Sequence, residues 1–174
     1  MIFHPMATPQ KQELAALAAT LYSTNASLKN EAFERLVRLA EQGSSEAMYL
    51  MHLCYEQGNG VPESQEAACY WLERACSCKN PFPPALANKG GRLLNEPGKL
   101  LAGLELLERA ASMGSADAAM TAAKIYEEGR LVQQDTMRAY SLLAHALEVG
   151  GQSISIAFSS FSERNHKKLK GLLA

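Results

Sequence analysis

The chain has 174 residues, 47% of them apolar, with 17 basic and 18 acidic side chains and a formal net charge of −1. Alanine occurs 27 times and leucine 24 times, whereas isoleucine and valine occur four times each. So few β-branched apolar residues exclude a sandwich, a barrel or a parallel sheet, and the strong helix formers Ala and Leu point to an all-α chain. The near balance of charge argues against a general nucleic-acid or membrane-surface binder.

Residues 1–9 hold two prolines and no periodicity and read as a loose leader. No positive cluster precedes an apolar stretch of signal-peptide length, and no segment reaches the ~18 apolar residues of a membrane span. The expected location is therefore the cytoplasm, with export by a route lacking a cleavable signal left open. Helical patterning begins at Leu14–Tyr22 and continues through Ala32–Gly43, Ala47–Gly58 and Ala68–Ala75. It resumes at Ala85–Leu93, Gly103–Gly114, Ala118–Gly129 and Ala139–Gly150. Pro81-Phe82-Pro83-Pro84 reads as a stiff connector, and Asn95–Lys99 as a shortened loop.

Four of these segments share one pattern and start at 32, 68, 103 and 139, about 35 residues apart. Three end in Gly (Gly43, Gly114, Gly150), the residue suited to a left-handed helix cap. Each unit is a helix, a Gly-containing turn and a second helix. A single pair cannot bury its apolar faces, whereas stacked pairs bury a continuous core. Small residues at one position of the first helix (Ala19, Gly90, Ala123) should allow close helix approach, and His52 breaks that pattern. Tyr22, Tyr55 and Tyr126 fall at helical spacing and are expected in the core between units.

Gly58-Asn-Gly60-Val61 followed by Ala68 and Trp71, with the weaker copy Gly129, Val132, Ala139 and Ala146, resembles the Sel1-like repeat family, relatives of tetratricopeptide repeats. The resemblance covers about residues 10–153. It implies a right-handed α-solenoid of about four helix pairs, with residues 154–174 as C-terminal capping helices. It also implies a non-enzymatic role in protein–protein interaction, as in adaptors of signalling, quality control and secretion, and in bacterial immunity proteins that neutralise a toxin. A cysteine-rich branch of the family pairs a second-helix cysteine with one in the following first helix. Here Cys76 has no such cysteine after Ala85, so that branch does not apply.

Cys54, Cys69, Cys76 and Cys78 lie within 25 positions. Cys69 and Cys76 are i,i+7 and so should share a helix face. Core thiols are the simplest reading, with a Cys54–Cys69 disulfide, or a metal or small-ligand site, as the alternative. A catalytic pairing of Glu127 or Glu128 with His145 has no support from spacing. No cofactor is expected.

A protein partner, such as a toxin, an effector or a secretion component, should meet first-helix residues outside the motif. The candidates are Met48, His52 and Glu56 (an i,i+4,i+8 stripe), then Arg92, Lys124, Glu127 and Glu128. Phe82 in the proline connector is a further candidate anchor. Beyond Ile154–Phe161, Ser162-Glu163 reads as a new helix start. The segment from Glu163 carries net charge +3, which leaves −4 for the residues before it, and it reads as a solvated cap, with contact to an acidic partner surface as the alternative.

Overall fold

The computed structural model describes residues 9–150 and 152–172. Among the described residues the chain forms helices and no strand: α1 (Pro9–Leu21), α2 (Ala26–Glu41), α3 (Ser45–Gln57), α4 (Gln65–Ser77), α5 (Pro83–Leu93), α6 (Leu100–Ser112), α7 (Ala116–Glu128), α8 (Thr136–Gly150) and α9 (Gln152–Leu172). The expected all-α class is what the chain adopts. The expected leader lies, apart from Pro9, outside the described residues, as does Gly151 after α8.

Local chemistry explains the boundaries. Ser44, Ser64 and Ser115 cap α3, α4 and α7, each hydroxyl accepting from the backbone N–H three residues on. Asn25 caps α2 through the N–H groups of Ser27 and Leu28, so α2 starts six residues before the repeat pattern becomes visible. Pro83 and Pro84 form the first turn of α5 rather than a connector, because a proline there forfeits no helix bond. Gly43 and Gly114 take positive φ past α2 and α6, as their spacing predicts. Gly129 ends α7 at φ 64°, and a Cβ there would meet Gln134 Cβ at 2.6 Å.

The helices fall into two compact units that divide after Ala85. In the first, α2 packs on α1, α3 on α2 and α4 on α3, with α3 also touching α1. In the second, α6 to α9 pack in the same sequential way, and α6 also meets α8 while α7 meets α9. The alanines at repeat-equivalent positions (32, 47, 68, 75, 85, 110, 118, 139 and 146) are all at most 3% exposed, which is what close helix contact requires. At one crossing even alanine is too large. A Cβ on Gly90 of α5 would lie 2.8 Å from the Gly103 carbonyl of α6, and one on Gly103 equally close to the Gly90 carbonyl.

Three expectations need correction. Tyr22 is 64% exposed, because α1 ends at Leu21 and its ring lies past the helix, where its hydroxyl meets Gln57. Ala19 is exposed, because α1 buries the face carrying Leu14 and Leu21 instead. The helix start expected at Ser162 does not occur, and α9 runs unbroken through it. Phe161, Asn165 and Leu169, spaced i, i+4, i+8, are all buried, so one seam continues past Ser162 and holds the helix together. Phe161 and Leu169 join Ala123, Ala139 and Leu143 in the core of the second unit.

Candidate partner-binding surfaces

The α3 stripe is not a surface. Met48 is 4% exposed and His52 fully buried, with His52 Nδ1 3.0 Å from the Ala68 carbonyl of α4. The nitrogen facing a carbonyl must be the donor, so Nδ1 carries the proton and holds α3 to α4. His52 thus occupies the small-residue position by bonding to the facing backbone instead of yielding space to it. Only Glu56 of the stripe reaches solvent, its carboxylate 3.7 Å from His52 Nε2. Met48 and His52 are therefore core residues of α3 and not the partner contacts their spacing suggests.

Phe82 is half-buried, its ring 5.6 Å from that of Tyr49, which in turn lies 5.6 Å from the His52 ring. It lines a hollow of about 450 Å³ with Lys11, Ser44 and Glu46. Burial pushes the Glu46 carboxyl above its ordinary range, and the nearby Lys11 pulls it part of the way back. Arg92, on α5 of the other unit, is also half-buried.

Lys124, Glu127 and Glu128 do come together. They line one side of a cleft of about 570 Å³ between α7 and α9, with Met120 beside them. Ala157, Ser160, Phe161 and Arg164 of α9 form the other side, and Ala123 and Leu143 line the base. The α9 residues follow i, i+3, i+4, i+7, which places them on one face. Glu127 is the tie between the walls. Arg164 donates to both of its oxygens at 3.0 Å, and Asn165 Nδ2 to one of them at 2.8 Å. Those donors hold the Glu127 carboxyl below its ordinary range, the Arg164 bonds contributing most, against the opposing effect of burial. Lys124 and Arg130 stand 3.9 and 3.8 Å from Glu128, and Lys168 Nζ reaches Gln134 at 3.4 Å. Sequence reading left Asn165 unassigned and took Arg164 and Lys168 only as members of the basic tail, although their spacing from Phe161 carries the helical signal.

A second tie, Glu108 of α6 to Arg138 of α8 at 2.7 and 3.0 Å, lies apart from the cleft-lining residues. Arg138 chiefly, and then Tyr126, lower the Glu108 carboxyl despite partial burial.

None of the four cysteines forms a disulfide. Cys69 is exposed and accepts from Gln65 Nε2, while Cys76 is buried, so their i,i+7 spacing does not give them a shared environment. Burial pushes the Cys54 thiol up to about 12, far from the thiolate a metal needs. Among the described residues no three His, Cys, Asp or Glu side chains stand close enough to hold a metal. No described helix is long and apolar enough to cross a membrane.

The Sel1 repeat family matches residues 45–80, 99–115 and 116–149, half of the chain. Two solved structures are similar. One is a Sel1 repeat protein from Oxalobacter formigenes, 26% identical, TM-score 0.64, over 76% of this chain. The other is a protective antigen of uropathogenic Escherichia coli displaying an SLR fold, 22% identical, TM-score 0.66, over 87% of this chain. The chain spans only 38% and 32% of the length of those two proteins. Comparison with curated proteins gives no match. The His at position 52, the proline-started α5 and the Gly90–Gly103 crossing are variations on a recurring helix pair, and the chain belongs to the Sel1 repeat family.

Proposed function

We propose that the chain is a non-enzymatic module that binds one protein partner and serves as an immunity or adaptor protein in the cytoplasm of a bacterium. The observation that carries this is the α7–α9 cleft. In a family of protein-interaction repeats, this chain opens an apolar-based groove with a charged mouth, into which Lys124, Glu127 and Glu128 all project. A toxin or effector, or a component of a secretion or signalling system, is the class of partner that such a dedicated binder serves.

The test is affinity purification of the tagged chain from its source cell, with cross-linking mass spectrometry on what is recovered. One stoichiometric protein, cross-linked through Lys124 or Lys168, is the expected result. Recovery of no protein, or cross-links confined to the first unit, overturns it. If the partner is a toxin, co-expression with this chain restores growth.

A further inference from the structure

One wall of the cleft, α9, lies beyond residue 149, where the match to the repeat family ends. The chemistry of this groove therefore has to be read from these residues themselves. Four cations, Lys124, Arg130, Arg164 and Lys168, stand at or beside its mouth with two carboxylates, Glu127 and Glu128. Glu127 is engaged by Arg164 and Asn165, and Lys168 acts on it as well. Glu128 has Lys124 and Arg130 within 4 Å. Once each carboxylate is matched with one cation, positive charge remains on both walls. The imbalance extends along α9, whose last two turns expose His166, Lys167, Lys168 and Lys170. A chain of net charge −1 has gathered net +3 into this one segment.

Beneath that mouth the groove is apolar, lined by Met120, Ala123, Leu143, Ala157 and Phe161. At about 570 Å³ it accommodates side chains from one face of a helix about 10–12 Å across, not a folded domain. A nucleic-acid backbone suits it poorly, since phosphates would meet Glu127 and Glu128 and gain nothing from the apolar base.

We propose that the α7–α9 cleft takes an acidic amphipathic helix of the protein partner. The helix lays its apolar stripe on Met120 and Ala157 and directs its carboxylates to Lys124 and Lys168. This rests on the protein-binding reading above and adds the chemistry of what is bound. Lys124 stands on α7 and Lys168 on α9, one turn beyond the cleft-lining Arg164, so the pair selects a helix with acidic residues on both flanks of its apolar stripe.

Two fluorescent model peptides test this against the full chain by anisotropy. Both carry Leu at i, i+3, i+4 and i+7, one with Glu and the other with Lys at the remaining positions. The acidic peptide binds and weakens as salt is raised, and the basic one does not bind. Lys124→Glu with Lys168→Glu weakens the acidic peptide by about tenfold or more, and the corresponding Gln pair falls between. Circular dichroism of these variants matches the parent, since both side chains are exposed. Equal binding of both peptides, no binding of the acidic peptide, or indifference to the charge reversal overturns the inference. So does tighter binding of a single-stranded oligonucleotide or an anionic phosphatidylserine vesicle than of the acidic peptide. Capture of a cellular partner that the Glu variants hold as well as the parent removes this inference and leaves the protein-binding reading intact, whereas capture of no partner removes that reading.

Discussion

A single methyl group separates a close helix crossing from an impossible one at Gly90 and Gly103. Because a Cβ on either would sit 2.8 Å from the other's carbonyl oxygen, Gly90→Ala must push α5 from α6. The expected cost is about 1–3 kcal/mol, read as a lower urea midpoint at unchanged slope. Gly91 is the internal control, for a Cβ there meets nothing within 4 Å. Gly91→Ala should stabilise by about 0.5–1 kcal/mol through the lost flexibility of the unfolded chain. Adjacent glycines thus respond with opposite sign, which propensity alone would not give. The thiols separate in the same residue-by-residue way. Cys69 should alkylate first with iodoacetamide at pH 8, while buried Cys54, its thiol pushed up to about 12, stays unmodified until the chain unfolds. Peptide mass mapping over time checks the order, and early loss of Cys54 would contradict its burial. The small-residue register at Gly90 was legible in the sequence. That His52 fills the same register by bonding Ala68 was not, because only the facing backbone shows that a carbonyl is within reach.

Between elements, carboxylates on α6 and α7 add polar ties to the packed apolar core. Glu108 joins α6 to α8, and Glu127 joins α7 to α9. Both carboxyls lie below their ordinary value, chiefly through arginine hydrogen bonds. A depressed folded value means that the stabilisation is fully present above the unfolded value near about 4.3 and is lost as pH falls through the folded one. Stability should therefore hold from neutral pH to about 5 and decline below about 4.5. Glu127→Gln should cost about 1 kcal/mol at pH 7, the discount reflecting solvent at Arg164, and should flatten that acid decline. Urea midpoints at pH 7, 5 and 3.5 test it, and parallel pH profiles for parent and variant would show that the tie contributes nothing. The helices themselves were largely readable from glycine ends and 3.6-residue periodicity. The ties were not, since Glu127 and Arg164 are 37 positions apart and belong to faces that only packing brings together. The unbroken α9 was missed for a related reason. Ser162 has the chemistry of a cap, but burial of Phe161, Asn165 and Leu169 on the helices beneath overrides that local preference.

Across the whole molecule, a recurring helix pair is the organising fact, and it is written into composition. The repeat-equivalent alanines are core throughout, so their excess records close packing as well as helix propensity. The repeat also explains why partner residues are hard to find by pattern. Motif positions announce themselves by recurring, while contact positions vary from unit to unit. Helical spacing correctly grouped Met48, His52 and Glu56 on one stripe of α3, yet two of the three are covered. On α7, by contrast, the expected residues Lys124, Glu127 and Glu128 border the open cleft toward α9. Composition, glycine ends and the 35-residue period by themselves determined most of the helices and their order, because those properties depend on each residue's own preferences and its near neighbours. Which stripe is core, which acids are ties and where a groove opens were decided only by tertiary structure, because burial belongs to pairs of faces, and the sequence of one face does not state what will cover it.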